Sequence, residues 1–235
     1  MKFFISLLGL IAFSTVQPGE LRLTPGKVFR IVDGDTIVFT QNKNAEVKNL
    51  KVRMIGVDTP ETHLVTDHGV VSQGYWGEAA TAYLKRLIPA KTDVLLQKYG
   101  NDKYDRMLGR VFYKNDGKDF DVNLVMIQAG WGIPYIICEG RMCDNGFFQR
   151  EKVANYFRAC EESRAQGRGI HNPSRRLEEM PFEFRLREQK RKPDKWVGDV
   201  HTKKLYNPRD YKEVDLCSRI FFFKKDEAEA VGFNE

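Results

Sequence analysis

Apolar and polar positions first fall into a readable order after the N-terminal segment. Across Val28 to Phe39, β-branched and aromatic residues flank Asp33-Gly34-Asp35, which predicts strand, turn, strand. The polar stretch 41–50 predicts a hairpin loop. Leu50 to Val57 alternates, with Val52, Met54 and Gly56 on one face and Arg53, Ile55 and Val57 on the other. Arg53 thus shares a face with apolar neighbours, an odd place for a cation without a task. A polar, Gly-containing loop follows over about 58–74. A helix is predicted from about Gly77 to Leu87, stopped by Pro89, then strands at Asp93–Tyr99 and Gly109–Tyr113. Asp116-Gly117 turns into a helix over Val122–Ala129 that Gly130 ends, and a longer helix spans Phe148–Ala165. Several strands, a helix, two strands and then helices suit an α+β fold, a small antiparallel barrel with helices packed on it.

The two ends read differently. Lys2, the apolar run Phe3–Phe13 and small residues to Gly19 have the polarity of a secretory signal peptide, placed at 1–18. The apolar run is too short for a comfortable membrane span, so no stable anchor is expected after cleavage. A buried N-terminal helix or strand is the alternative. From Asn172 the composition shifts: 173–192 holds seven Lys or Arg and four Glu, so 173–194 reads as a charged linker or exposed helix. Residues 195–235 read as a small C-terminal module with a strand near Ser218–Phe223 and a helix near Asp226–Ala230.

Composition bounds the function more than it identifies it. Of 235 residues, 42% are hydrophobic, which excludes wholesale disorder. Mean hydropathy is −0.48, and the long apolar run lies at the N-terminus, which argues against a polytopic membrane protein. The net charge of +6 suggests an anionic partner, nucleic acid first. Four cysteines in an exported chain favour disulfides. Cys138 with Cys143 could close a small loop and Cys160 with Cys217 could tie the tail to the main domain. Free thiols and a zinc site are the alternatives.

Four short segments carry candidate chemistry: Asp33-Gly34-Asp35-Thr36, Arg53, Asp58-Thr59-Pro60-Glu61, and Asp102-Lys103-Tyr104-Asp105-Arg106. Each alone reads as turn or surface; together they suit phosphodiester cleavage with one hard cation. Asp35 and Asp58 offer carboxylate oxygens to Ca2+, and a carbonyl near Thr59 adds a third protein ligand. Arg53 and Arg106 can fork onto phosphate oxygens as negative charge grows in the transition state. Glu61 can orient or deprotonate the attacking water.

These residues resemble the staphylococcal (thermo)nuclease family over approximately 27–172. The likeness runs through VDGDT, R-x4-DTPE, the Gly77-Glu78-Ala79-Ala80 helix start, DKYDRMLGRVFY and DVNLVMIQAGW. The resemblance implies a five-stranded OB-fold barrel with about three helices. It also implies Ca2+-dependent hydrolysis of DNA and RNA to 3′-phosphate ends, with little sequence specificity. By position it makes Asp35, Asp58 and Thr59 the metal ligands and Arg53, Arg106 and Glu61 the catalytic residues. Lys103 and Tyr104 fall where the family contacts the substrate phosphate. Tyr135 is placed either on a base or in packing. Asp105 stands where the family has Gly, adding charge and removing backbone freedom next to Arg106. His63 and His68 read as exposed loop residues.

The tail from Trp196 to Gly232 resembles a small metal-binding module found beside bacterial nucleases, through WVGDVHTKKLY, RIFFF and DEAEAVGF. Tyr206 and Asp210 stand at its ligand positions, which implies the shape without the metal. The expectation is an exported, periplasmic or extracellular, monomeric nuclease acting on DNA and RNA. A non-catalytic OB-fold nucleic-acid-binding protein is the alternative; such a copy should have lost the acids or arginines.

Overall fold

The computed structural model describes residues 23–43, 46–138 and 150–235. The predicted signal segment 1–18 and Cys143 lie outside these residues. β1 (Leu23–Asp33), β2 (Thr36–Lys43) and β3 (Glu46–Met54) form an antiparallel meander. β7 (Asp93–Asn101) pairs with β1, and β8 (Met107–Asn115) pairs with β7. A parallel pairing of β3 with β8, Arg53 opposite Leu108, closes the five strands into a mixed barrel. The expected α+β barrel is therefore present. Closure buries the edges and fills the interior with Ile37, Phe39, Val52, Met54, Leu96 and Val111, each at most 1% exposed.

The local differences have physical causes. Region 41–50 is not a long loop, because β2 and β3 continue to Lys43 and from Glu46. Strand alternation holds only to Ile55. Gly56 has φ 77°, which breaks the strand, and β4 (Gly56–Asp58) starts in a new register with Val57 in the core. Arg53 and Val57 consequently do not share a face. The segment after Asp58 contains a small hairpin, β5 (Leu64–Thr66) with β6 (Gly69–Val71), where a loop was expected. α1 (Tyr75–Leu87) and α2 (Val122–Gln128) form near the expected positions. β9 (Lys118–Asp121) precedes α2 and adds to β8. α3 (Arg150–Ala165) docks through the Tyr156 hydroxyl, which donates to Asp121 Oδ2 at 2.7 Å.

The tail joins the barrel domain through a second sheet. β10 (Ile133–Cys138) pairs antiparallel with β4 and parallel with β13 (Arg219–Phe222). β11 (Trp196–Asp199) pairs with β13, and β12 (Leu205–Tyr206) completes the sheet. α4 (Pro181–Glu188) lies within the charged segment, with Pro181 at its first turn and Glu183 Oε2 accepting from the Met180 amide at 3.0 Å. It is not an exposed helix, because Pro181, Phe182 and Phe184 are buried. α5 (Lys225–Ala230) covers the far end. A disulfide joins Cys160 on α3 to Cys217 in the tail, as expected. None of the described cysteines is a free thiol.

Candidate active site

Turn and break chemistry place the acids. Gly34 lets the β1–β2 turn lie against Thr59, since a Cβ there would meet Thr59 Oγ1 at 2.6 Å. That contact brings Asp35 beside the β4 end. The Asp35 amide donates to Asp33 Oδ1 at 3.1 Å, and Asp35 Oδ2 accepts from the Thr59 amide at 3.0 Å. Asp58 is fully buried at the end of β4, held there by pairing with Ile133. Glu61 is fixed by a two-way clasp with Gln73. The Glu61 amide donates to Gln73 Oε1 at 3.0 Å, and the Gln73 amide donates to the Glu61 carbonyl at 2.8 Å.

Arg53 joins these groups. One of its nitrogens contacts Asp35 Oδ1, and Nη2 donates to Asp58 Oδ1 at 2.8 Å. A single guanidinium thus bridges two buried carboxylates. Burial lowers the Arg53 pKa, and Asp58 opposes that shift. Burial raises the pKa of Asp33, with Arg53 opposing. Glu61 is also raised by burial and by the Asp58 charge, with Arg185 pulling the other way. A raised carboxyl is a better proton acceptor than an ordinary one, which suits a group that takes a proton from water.

Arg106 lines the same cavity immediately before β8, the strand beside β3, and is tied to Asp102. Its Nε and Nη2 both donate to Asp102 Oδ2 at 2.7 Å, and its amide donates to Asp102 Oδ1 at 2.9 Å. Burial pushes the Asp102 pKa up, but these hydrogen bonds outweigh it and hold the group below its usual range. Tyr104 is 63% exposed, with Lys103 and Arg106 over its ring. Asp105 adopts a left-handed backbone, φ 56°, and accepts from Asn101 Nδ2 at 2.7 Å. Glycine would meet that conformation without a Cβ penalty.

A cavity of about 1140 Å³ is lined by Asp35, Arg53, Glu61, Lys103, Tyr104, Arg106 and Tyr135, with Asp58 sealed behind it. The expected residues therefore converge, with one difference of context. Tyr135 stacks on Phe182 (5.7 Å, 17°) and packs against Phe221, so its ring belongs to the tail cluster. His63 is exposed, and His68 pairs with Asp67 and Glu188 away from the acids. One further residue enters the site unannounced. Arg185 of α4 reaches Asp58 and Glu61, although its local sequence is one charged stretch among others.

The donor chemistry fits a hard cation. Asp35, Asp58 and the Thr59 carbonyl offer only oxygens, and a guanidinium already lies between the two carboxylates. Among the described residues, no group of three or more His, Cys, Asp or Glu side chains is arranged to hold an ion.

The staphylococcal nuclease homologue family model matches residues 51–171. This chain belongs to that family. Endonuclease YhcR of Bacillus subtilis is 33% identical over 213 residues, covering 89% of this chain and 16% of that protein. An uncharacterized endonuclease of Escherichia coli O157:H7 is 35% identical over 105 residues, 45% of this chain and 57% of that protein. The thermonuclease of Staphylococcus hyicus is 38% identical over 86 residues, 37% of this chain and 47% of that one. The chain thus spans about half the length of the latter two relatives and a small part of the Bacillus protein.

Proposed function

We propose that this chain is an exported, calcium-dependent nuclease that hydrolyses DNA and RNA with little sequence specificity and leaves 3′-phosphate ends. The observation that carries the reading is the Arg53 bridge between Asp35 and Asp58, beside Glu61, in one cavity of a chain of this family. Support comes also from relatives named as an endonuclease and a thermonuclease.

Asp35, Asp58 and the Thr59 carbonyl would hold the ion, which when bound polarises a phosphate oxygen and offsets its charge. Arg53 on β3 and Arg106 immediately before its partner strand β8 would fork onto the remaining phosphate oxygens as their charge rises towards the transition state. Glu61 would orient a water molecule and accept its proton. The water oxygen bonds to phosphorus as the bond from phosphorus to the 5′ oxygen breaks, the phosphate stays on the 3′ side, and the 5′ oxygen takes up a proton from solvent. Lys103 and Tyr104 would steady a neighbouring phosphate at the mouth. The Cys160–Cys217 disulfide supports an oxidising compartment. Among the described residues, no helix is long and apolar enough to cross a membrane.

The test is incubation of purified protein with single-stranded DNA and with RNA at millimolar Ca2+. Cleavage of both, stopped by chelation and leaving 3′-phosphates, is the expected result. Folded protein inactive with Ca2+, Mg2+ and Mn2+ would overturn the enzyme reading and leave a binding domain.

A further inference from the structure

α4 delivers a second guanidinium, beside that of Arg53, into the acid cluster. Arg185 Nη1 donates to Asp58 Oδ1 at 2.8 Å and to Glu61 Oε1 at 2.6 Å, while Nη2 donates to Asp58 Oδ2 at 2.9 Å. Its guanidinium carbon lies 5.7 Å from the Tyr135 ring centroid, and Phe182 stacks on that ring. Arg185 sits outside the residues matched by the family model and 127 positions from Asp58. Burial alone would make its proton easier to lose, but Asp58 and Glu61 outweigh this and keep the guanidinium charged.

The geometry has a consequence for any ion that takes Asp58. Asp58 Oδ1 already accepts from both Arg53 and Arg185, and Oδ2 accepts from Arg185. A divalent cation on Asp58 would lie within a few ångströms of Arg185, where two positive charges in a partly desolvated cavity repel strongly. Arg185 also occupies Glu61, the neighbouring carboxylate. Arg53, by contrast, bridges the two acids from β3 and is part of the barrel itself.

Building on the metal-dependent reading above, we infer that Arg185 is the resident counter-ion of Asp58 and Glu61, and that it competes with the divalent ion for them. The C-terminal segment thereby sets the metal affinity of a site built on the barrel. Its Tyr135 platform gives the displaced guanidinium an aromatic face to rest on beside the cavity. A purely structural role, pinning the tail to the barrel, would depend on the same ion pair but would leave metal affinity alone.

The test is calorimetric titration of Ca2+ into the full chain. Arg185→Met removes the charge and keeps an apolar stem over Tyr135. It should bind Ca2+ at least tenfold more tightly than the parent. Arg185→Lys keeps one charge but cannot fork across two carboxylates, so its affinity should fall in between. Tyr211→Phe removes a separate tether of α4, the hydroxyl that donates to Glu183 Oε1 at 2.9 Å, and should leave Ca2+ affinity unchanged. Equal affinities for parent, Met and Lys proteins would overturn the competition while leaving the metal site standing. If the Met protein fails to fold, the Lys protein decides by the same comparison. No Ca2+ binding by any of them up to tens of millimolar would remove the metal-site reading and the competition together.

Discussion

Asn123→Ala tests how the barrel holds its site. Asn123 is fully buried at the start of α2, and its side chain makes three hydrogen bonds. Its Oδ1 accepts from the Val111 amide at 3.1 Å. Its Nδ2 donates to the Ile55 carbonyl at 2.9 Å and to the Gly109 carbonyl at 3.1 Å. Ile55 is the break between β3 and β4, the joint that puts Arg53 on one side and Asp58 on the other. Alanine leaves the Val111 N–H and the Ile55 carbonyl without this partner. Gly109 keeps a donor, because the Ile55 amide also bonds to its carbonyl at 3.0 Å. One buried and one part-buried group left unpaired, at about 1–3 kcal/mol each, give a loss of roughly 2–6 kcal/mol. That is a large share of a typical stability of about 5–15 kcal/mol. Urea unfolding followed by Trp fluorescence measures it. Asn123→Asp should be worse at neutral pH and recover in part in acid, because its carboxylate would face two carbonyl oxygens. A loss under about 1 kcal/mol for alanine would refute the claim that this side chain holds the joint.

Other outcomes follow from the same structure. Replacing Cys160 and Cys217 with Ser opens a loop closed across a sequence separation of 57, which chain entropy values at about 4 kcal/mol, so thermal unfolding should drop by many degrees. An unchanged melting temperature would mean the tail's sheet pairing carries that stability instead. Burial, reinforced by Arg164, lowers the His171 pKa from 6.5 to about 4, and its Nε2 is buried without a hydrogen-bond partner among the described residues. The folded state thus favours the neutral ring, so stability is intact above pH 6.5 and is lost as pH falls from there towards 4. With the ring part exposed, the loss should be about 1–2 kcal/mol, read from urea midpoints against pH. His171→Gln should flatten the profile over that window, and an unaltered profile would count against this assignment.

Most of the candidate site was legible because its members sit beside local punctuation. Asp35 follows a Gly turn, Asp58 ends a strand before Pro60, and Arg106 closes a short polar turn. The tail was legible only in outline. β10 is a six-residue apolar run that periodicity does not distinguish from buried helix, and its partner β13 lies over 80 positions away. Arg185 is one of seven cations between 173 and 192. What selects it is Phe182, one helical turn earlier, packing on Tyr135 and aiming that face at Asp58. That contact is tertiary, and no local pattern carries it. The Arg53 strand shows a subtler limit: alternation assigned its face, but Gly56 reset the register before Val57.

The most direct test of the account is the turnover of Arg53→Ala on single-stranded DNA at saturating Ca2+. In this variant Asp58 keeps a positive partner, Arg185 or the ion that displaces it, so the fold should persist by circular dichroism. Loss of one guanidinium aimed at developing phosphate charge should cut turnover by about a hundredfold or more. A folded Arg53→Ala protein that cleaves at near-parental rate would contradict the placement of the active site between Asp35, Arg53 and Asp58.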